Sequence, residues 1–185
     1  MKLYVVLALF ICLTVSSAAQ SLGANTFIFK APNEFSYSYG YGVGFEYSYP
    51  LSKTFDLAVE PAFLYSSHNS KPGKSEYLHI PVLAGIRFYI FDYYLKPYIS
   101  ISAIGSYCKN DQIRETYIAP GFVAPVYRFD IVSSRSFNAG ANFSFGTMLK
   151  VSDYLHINLN MGASFMSDRH ADFSGFKLGA AYNLY

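Results

Sequence analysis

The sequence predicts an all-β protein, an eight-stranded antiparallel up-and-down transmembrane β-barrel preceded by a cleavable signal peptide. Three observations predict it. Apolar and small polar residues alternate with period two along most of the chain, the mark of strands with different media on their two faces. The composition is 52% hydrophobic and 19% aromatic but only 14% charged, against roughly 25% charged residues in an ordinary soluble domain. The links between alternating segments switch between tight and long, as in barrels with short turns on one side of a membrane.

The leader comes first. Met1-Lys2 is a short positive start, Leu3 to Val15 is apolar, and Ser16-Ser17-Ala18-Ala19 supplies small residues. That order is a secretory signal, with cleavage expected after Ala19. Residues 1–19 are therefore read as the signal peptide and 20–185 as the barrel domain. The apolar run is too short to anchor the chain. Leu9-Phe10-Ile11 before Cys12 lacks the small residues of a lipidation site. Removal of Cys12 leaves Cys108 without a disulfide partner, a plain thiol near a strand end.

The strands follow by their period. A weak first strand is expected over Leu22–Lys30. From Tyr37 to Tyr49 the odd positions are Tyr, Tyr, Tyr, Val, Phe, Tyr and Tyr, facing Ser, Gly and Glu46 at the even ones. Phe55, Leu57, Val59, Pro61, Phe63 and Tyr65 share a face. So do Leu78 to Ile90 at even positions, and Ile99, Ile101 and Ala103. Phe137, Ala139, Ala141, Phe143 and Phe145 form another row. Leu155 to Phe165 alternates against His156, Asn158, Asn160 and Ser164. The chain closes with Phe176, Leu178, Ala180, Tyr182 and Leu184. Helical faces repeat every 3.6 residues and cannot produce this pattern. Pro61, Pro81 and Pro97 fall inside these runs, where bulges or strand ends are expected because proline donates no ladder bond.

Tight turns are expected at Pro50–Lys53, Asp92–Tyr94 and Lys150–Asp153. Long links are expected at Ser67–Ser75, Lys109–Ser134 and Ser167–Phe173. An even strand number then puts both termini on the side of the tight turns. The polar face is mostly Gly, Ser and Asn, which suits a crowded lumen better than a wetted exterior. The apolar face, with its tyrosines toward strand ends, suits lipid and its interfaces.

Charges and histidines on the polar face form a candidate lumen network: Glu46, Asp56, Glu60, His79, Arg87, Lys96, His156 and Lys177. Charges away from bulk water need partners, and Glu60 with Arg87, on adjacent strands, is the pair expected. The long link 109–134 carries Arg114, Tyr117, Phe122, Tyr127 and Arg128, candidate contact residues because exposed aromatics and arginines dominate recognition surfaces. Ser167-Asp168-Arg169-His170-Ala171-Asp172 is the one dense polar cluster that hydrolysis could use, and it reads first as a solvated loop. His68, His79, His156 and His170 show no metal-ligand spacing, and no glycine loop cradles phosphate. No catalytic, cofactor-binding or metal residue is assigned, and no cofactor is expected.

The chain resembles the outer-membrane barrel domain common in Bacteroidetes, of the porin-family or PorT-like type. The resemblance rests on Gly40-Tyr41-Gly42-Val43-Gly44-Phe45-Glu46, Leu57-Ala58-Val59-Glu60-Pro61, Tyr77-Leu78-His79-Ile80-Pro81-Val82-Leu83, Leu95-Lys96-Pro97-Tyr98 and Leu178-Gly179-Ala180-Ala181-Tyr182-Asn183-Leu184-Tyr185. It implies residence in the outer membrane of a Gram-negative-type bacterium and insertion by the barrel-assembly machinery. One departure is at the C-terminus, where Tyr182 lies three residues before Tyr185 rather than two.

The function expected is a small closed barrel with a structural or surface-interaction role through its outer loops, not an enzyme. The alternatives are a narrow porin-like channel and a component of a secretion or envelope-assembly complex. Outer-membrane lipid is the expected partner, with a protein partner at the outer loops and a monomeric state. The absence of a basic run or patch in a chain of net charge +2 argues against nucleic acid.

Overall fold

A computed structural model describes residues 20–31, 38–70, 73–118, 126–168 and 172–184, with backbone alone at 31, 38, 68–70, 73–74, 112–118 and 126–131. Residues 1–19, the stretch expected to be a signal peptide, and Tyr185 lie outside the described residues. Eight strands run in chain order: β1 (Ser21–Ala31), β2 (Ser38–Pro50), β3 (Phe55–Ser70), β4 (Gly73–Tyr89), β5 (Leu95–Ile118), β6 (Val126–Lys150), β7 (Leu155–Met166) and β8 (Phe173–Asn183). Each pairs antiparallel with the next, and β1 pairs with β8 to close the barrel. Closure leaves no unpaired edge in the part of the wall where all eight strands pair, which a bilayer demands because lipid cannot satisfy backbone N–H and C=O groups. No helix among the described residues is long and apolar enough to cross a membrane.

The period of each strand decides its faces. Along β2, Tyr39, Tyr41, Val43 and Phe45 are exposed, while Gly40, Gly42, Gly44, Glu46 and Ser48 are buried. β7 alternates in the same way, with Ile157 and Leu159 outside and His156, Asn158 and Asn160 inside. Along these strands the arrangement is inverted relative to a soluble protein: the large apolar side chains face out and the polar ones face in. Aromatic side chains gather at both ends of the wall. Tyr154 and Tyr182 stack at 6.0 Å at the end of the tight turns, while Tyr41 with Tyr65 at 5.9 Å and Tyr107 with Phe137 at 5.2 Å mark the other.

Two of the tight turns share one device. Leu51 and Val151 donate their N–H to Phe55 and Leu155 carbonyls, Ser52 Oγ accepts from the Thr54 and Phe55 N–H groups, and Ser152 Oγ accepts from those of Tyr154 and Leu155. Gln20 and Leu184 meet at this end too, where Leu184 N–H donates to the Gln20 carbonyl at 2.8 Å. We call it the inner end.

Three expectations are corrected. The stretch 109–134 is not a loop: β5 and β6 stay in register from Leu95↔Leu149 out to Ile118↔Val126, leaving only 119–125 outside the described residues. The link 67–75 is likewise mostly ladder, paired to Ser70↔Gly73. Serine, asparagine and charge read as loop in sequence, yet the backbone pairing of β5 with β6 continues through them. The prolines produce no bulges. The β2–β3 ladder skips Phe45-Glu46 and Glu60-Pro61, and the β3–β4 ladder skips Ala62-Phe63 and Ile80-Pro81, with unchanged register on either side. Pro97 sits in an unbroken ladder opposite Thr147. A missing donor thus costs a ladder bond without an inserted residue.

Candidate functional site

Three layers of buried side chains cross the lumen. The inner layer is aromatic. Tyr89 and Tyr98 meet edge to face at 5.9 Å beside Met148. Tyr98 is 1% exposed, donates its hydroxyl to Asn158 Oδ1 at 2.6 Å and accepts from Asn160 Nδ2 at 3.0 Å. It lies over Gly146, where a Cβ would come within 2.7 Å of the Tyr98 ring and hydroxyl. Gly146→Val is expected to push this ring out of place and lower stability by about 1–3 kcal/mol, the usual range for overpacking. The urea midpoint of the variant in lipid vesicles checks it, and an unchanged midpoint would show that the layer is loosely packed.

The middle layer is ionic. Glu46 on β2 and Glu60 on β3 stand opposite each other at the β2–β3 ladder gap, a placement that repels. Lys177 on β8 reaches both, at 3.1 Å from Glu46 and 2.7 Å from Glu60. Arg87 on β4 donates to the other Glu46 oxygen at 2.7 Å, with both side chains no more than 4% exposed. Asn25 on β1 donates to Glu60 at 2.6 Å. Two anions and two cations give a neutral cluster, the condition under which charge is tolerated away from water. The guanidinium also lies 4.6 Å from the centre of the Tyr98 ring.

The expected Glu60–Arg87 pair is therefore corrected. Glu60 is four positions along β3 from Asp56, which is the residue opposite Arg87. Arg87 reaches instead across the narrow lumen to Glu46, and Glu60 takes Lys177. Asp56 accepts from the Tyr89 hydroxyl at 2.7 Å. Lys96 does not join the cluster. It turns to Asp92 in the inner turn at 2.5 Å, and that hydrogen bond holds the Asp92 carboxyl below its usual range. Asp56, Lys96 and His156 line an open inner vestibule of about 410 Å³.

The outer layer is mostly apolar. Phe29, Ala62 and Leu64 form one cluster and Ile104, Cys108 and Met166 another, with Tyr77 and Phe173 packed against both. His79 is wholly buried among them, with its ring 5.0 Å from Phe173. Between this plug and the ionic layer lies a cavity of about 60 Å³, apolar on the Phe27, Leu64 and Phe173 side and polar on the Ser100, Asn142 and Ser144 side.

The candidate contact residues fall on the β5–β6 ribbon. Arg114 pairs with Asp130, Thr116 with Arg128 and Tyr117 with Tyr127, while Phe122 lies outside the described residues. β4 pairs with β5 only as far as Asp111, and β7 with β6 only as far as Gly140. Beyond Asp111 the ribbon runs seven further pairs, from Gln112↔Val132 to Ile118↔Val126, which is about 23 Å at ~3.3 Å per residue. In the polar cluster, Asp172 accepts from the Met166 N–H at 2.6 Å. His170 lies outside the described residues.

Solved structures repeat this architecture. Neisserial surface protein A aligns with a TM-score of 0.62 at 10% identity, over 91% of this chain and 100% of that one. OprG of Pseudomonas aeruginosa gives 0.60 at 10% identity, over 91% and 97%. Ail, the attachment invasion locus protein of Yersinia pestis, gives 0.55 at 14% identity, over 91% and 100%. At such identities the likeness is one of fold. A comparison with curated proteins finds no match. The family description "Outer membrane protein beta-barrel domain" matches residues 5–183. A closed barrel with an apolar exterior, a polar lumen and a family match over nearly its whole length thus belongs to the outer membrane protein β-barrel family and resides in the outer membrane.

Proposed function

We propose that this barrel is a closed platform, not a channel and not an enzyme, which presents the β5–β6 ribbon at the cell surface for interaction with another envelope or external component. The observation that carries the reading is the lumen: aromatic, ionic and apolar layers of buried side chains lie across it in series. Eight strands leave an interior that side chains can fill. The ribbon supports the interactive half, because two strands with unpaired outer edges can accept a partner strand or lay down a large surface. Its inner end is the periplasmic one, where short turns and termini belong. Export by a signal peptide cleaved after Ala19, insertion by the barrel-assembly machinery, a monomeric state and membership of the PorT-like type complete the proposal.

Conductance in a planar bilayer tests it, together with the migration of unboiled and boiled protein. Heat-modifiable migration without current steps is expected. Discrete, reproducible steps would replace the closed platform with a narrow channel running through the 60 Å³ cavity. Co-purification of a stoichiometric envelope protein that is lost when 112–132 is shortened would identify an assembly component.

A further inference from the structure

We propose that Cys108, His79 and Met166 form a binding site for a soft monovalent metal ion of the Cu(I) class at the outer mouth of the barrel. Cys108 and His79 are direct cross-strand partners on β5 and β4, so both side chains leave the sheet on the lumen face. Side chains of such partners start about 4.5–5.5 Å apart, close enough for one ion to bridge sulfur and nitrogen. Met166 enters from β7. It reaches the Cys108 cluster across Gly140, its own partner on β6, where a Cβ would come within 2.8 Å of the Met166 Cα.

The second observation is His79. It is 0% exposed, and neither ring nitrogen has a hydrogen-bond partner among the described residues. Its surroundings are Tyr77 and Phe173 rings, edge-on at 5.7 and 5.0 Å, and both rings also pack against the Cys108 and Met166 cluster. A buried imidazole with two idle nitrogens is costly unless something engages one of them. A metal ion would.

The ligand types select the ion. No three His, Cys, Asp or Glu side chains converge among the described residues, which leaves a zinc-type tetrahedral set without its ligands. Thiolate and thioether sulfur with one imidazole suit Cu(I). Charge agrees: binding Cu⁺ displaces the thiol proton, so Cu⁺ and Cys108 thiolate form a neutral pair that an apolar pocket accepts. A divalent ion would leave a net positive charge there. Asn138 Nδ2 donates to the sulfur at 3.5 Å, and the Tyr77 and Ser106 hydroxyls lie 3.7 Å away, the outer hydrogen bonds that steady a metal-bound thiolate. Asp172, whose carboxyl accepts from the Met166 N–H at 2.6 Å, sets an acidic group beside the Met166 position.

The test is an anaerobic titration of the full chain, folded in detergent, with Cu(I) buffered by bicinchoninate, followed by copper-edge X-ray absorption. One Cu(I) per barrel with sulfur and nitrogen ligands is expected. Cys108→Ala should lower the affinity more than about 100-fold, and Met166→Leu by about 10-fold, the range in which a weaker or supporting ligand acts. Boiled-versus-unboiled migration identifies folded variants. A folded wild type that takes up no Cu(I), or a folded Cys108→Ala chain that binds as well, overturns the proposal. If Cys108→Ala does not fold, the absorption spectrum of the wild type decides, and a first shell without sulfur overturns it.

Discussion

Glu46→Ala is expected to destabilise the barrel by about 3–5 kcal/mol, the cost of removing one partner from a buried ionic cluster. Among the described residues, Glu46 is the carboxylate that bridges both cations, Arg87 at 2.7 Å and Lys177 at 3.1 Å. Its loss leaves one net positive charge in a lumen where Arg87 is 4% exposed. Lys177 keeps Glu60, but Arg87 keeps only the Tyr89 hydroxyl at 3.4 Å and the face of Tyr98. Removing both members, as in Glu46→Leu with Arg87→Met, restores neutrality, so the double variant should be more stable than Glu46→Ala alone. Urea unfolding in lipid vesicles, read as a midpoint shift at constant slope, measures both. A loss below about 1 kcal/mol for Glu46→Ala would mean that water reaches the cluster and screens it, and the plugged-lumen reading would fall with it.

The second large effect is expected on the opposite face. Phe145→Arg should cost about 2–4 kcal/mol, the penalty for arginine facing lipid near the bilayer midplane. Phe145 is 58% exposed and pairs with Met161 near the middle of β7. Its neighbour Ser144 faces inward and shares hydrogen bonds with Ser100 and Asn160. Ser144→Ala should cost only about 0.5–1.5 kcal/mol, the worth of an ordinary hydrogen bond. Two adjacent residues thus report opposite media. If Phe145→Arg unfolds at the wild-type urea concentration in vesicles, the outward face at that height does not lie against acyl chains.

The candidate network was legible as a set and illegible as pairs. Alternation assigns Glu46, Asp56, Glu60, Arg87 and Lys177 to one face because the side-chain period of a strand is two. It says nothing of which strand lies across the lumen, so Glu60 with Arg87 followed from adjacency along the wall, while the contacts run across the interior. Cys108, His79 and Met166 escaped for the same reason: they come from β5, β4 and β7, and no sequence spacing connects them. His79 carried a signal, as a polar residue on a lumen face, but only the β4–β5 register sets it opposite Cys108, and only the curvature of the wall brings Met166 to them.

The outward apolar face, the small and polar inward face, the strand number and the placement of the tight turns were all determined by the sequence itself. They are local quantities, written in the alternation of each strand and in the residues that end it. Tertiary structure alone decided the ion-pair partners, the layering of the plug, and the continuation of β5 and β6 into a ribbon. Those depend on register and on barrel curvature. A polar strand that pairs above a membrane has the composition of a loop, and only its partner strand tells the two apart.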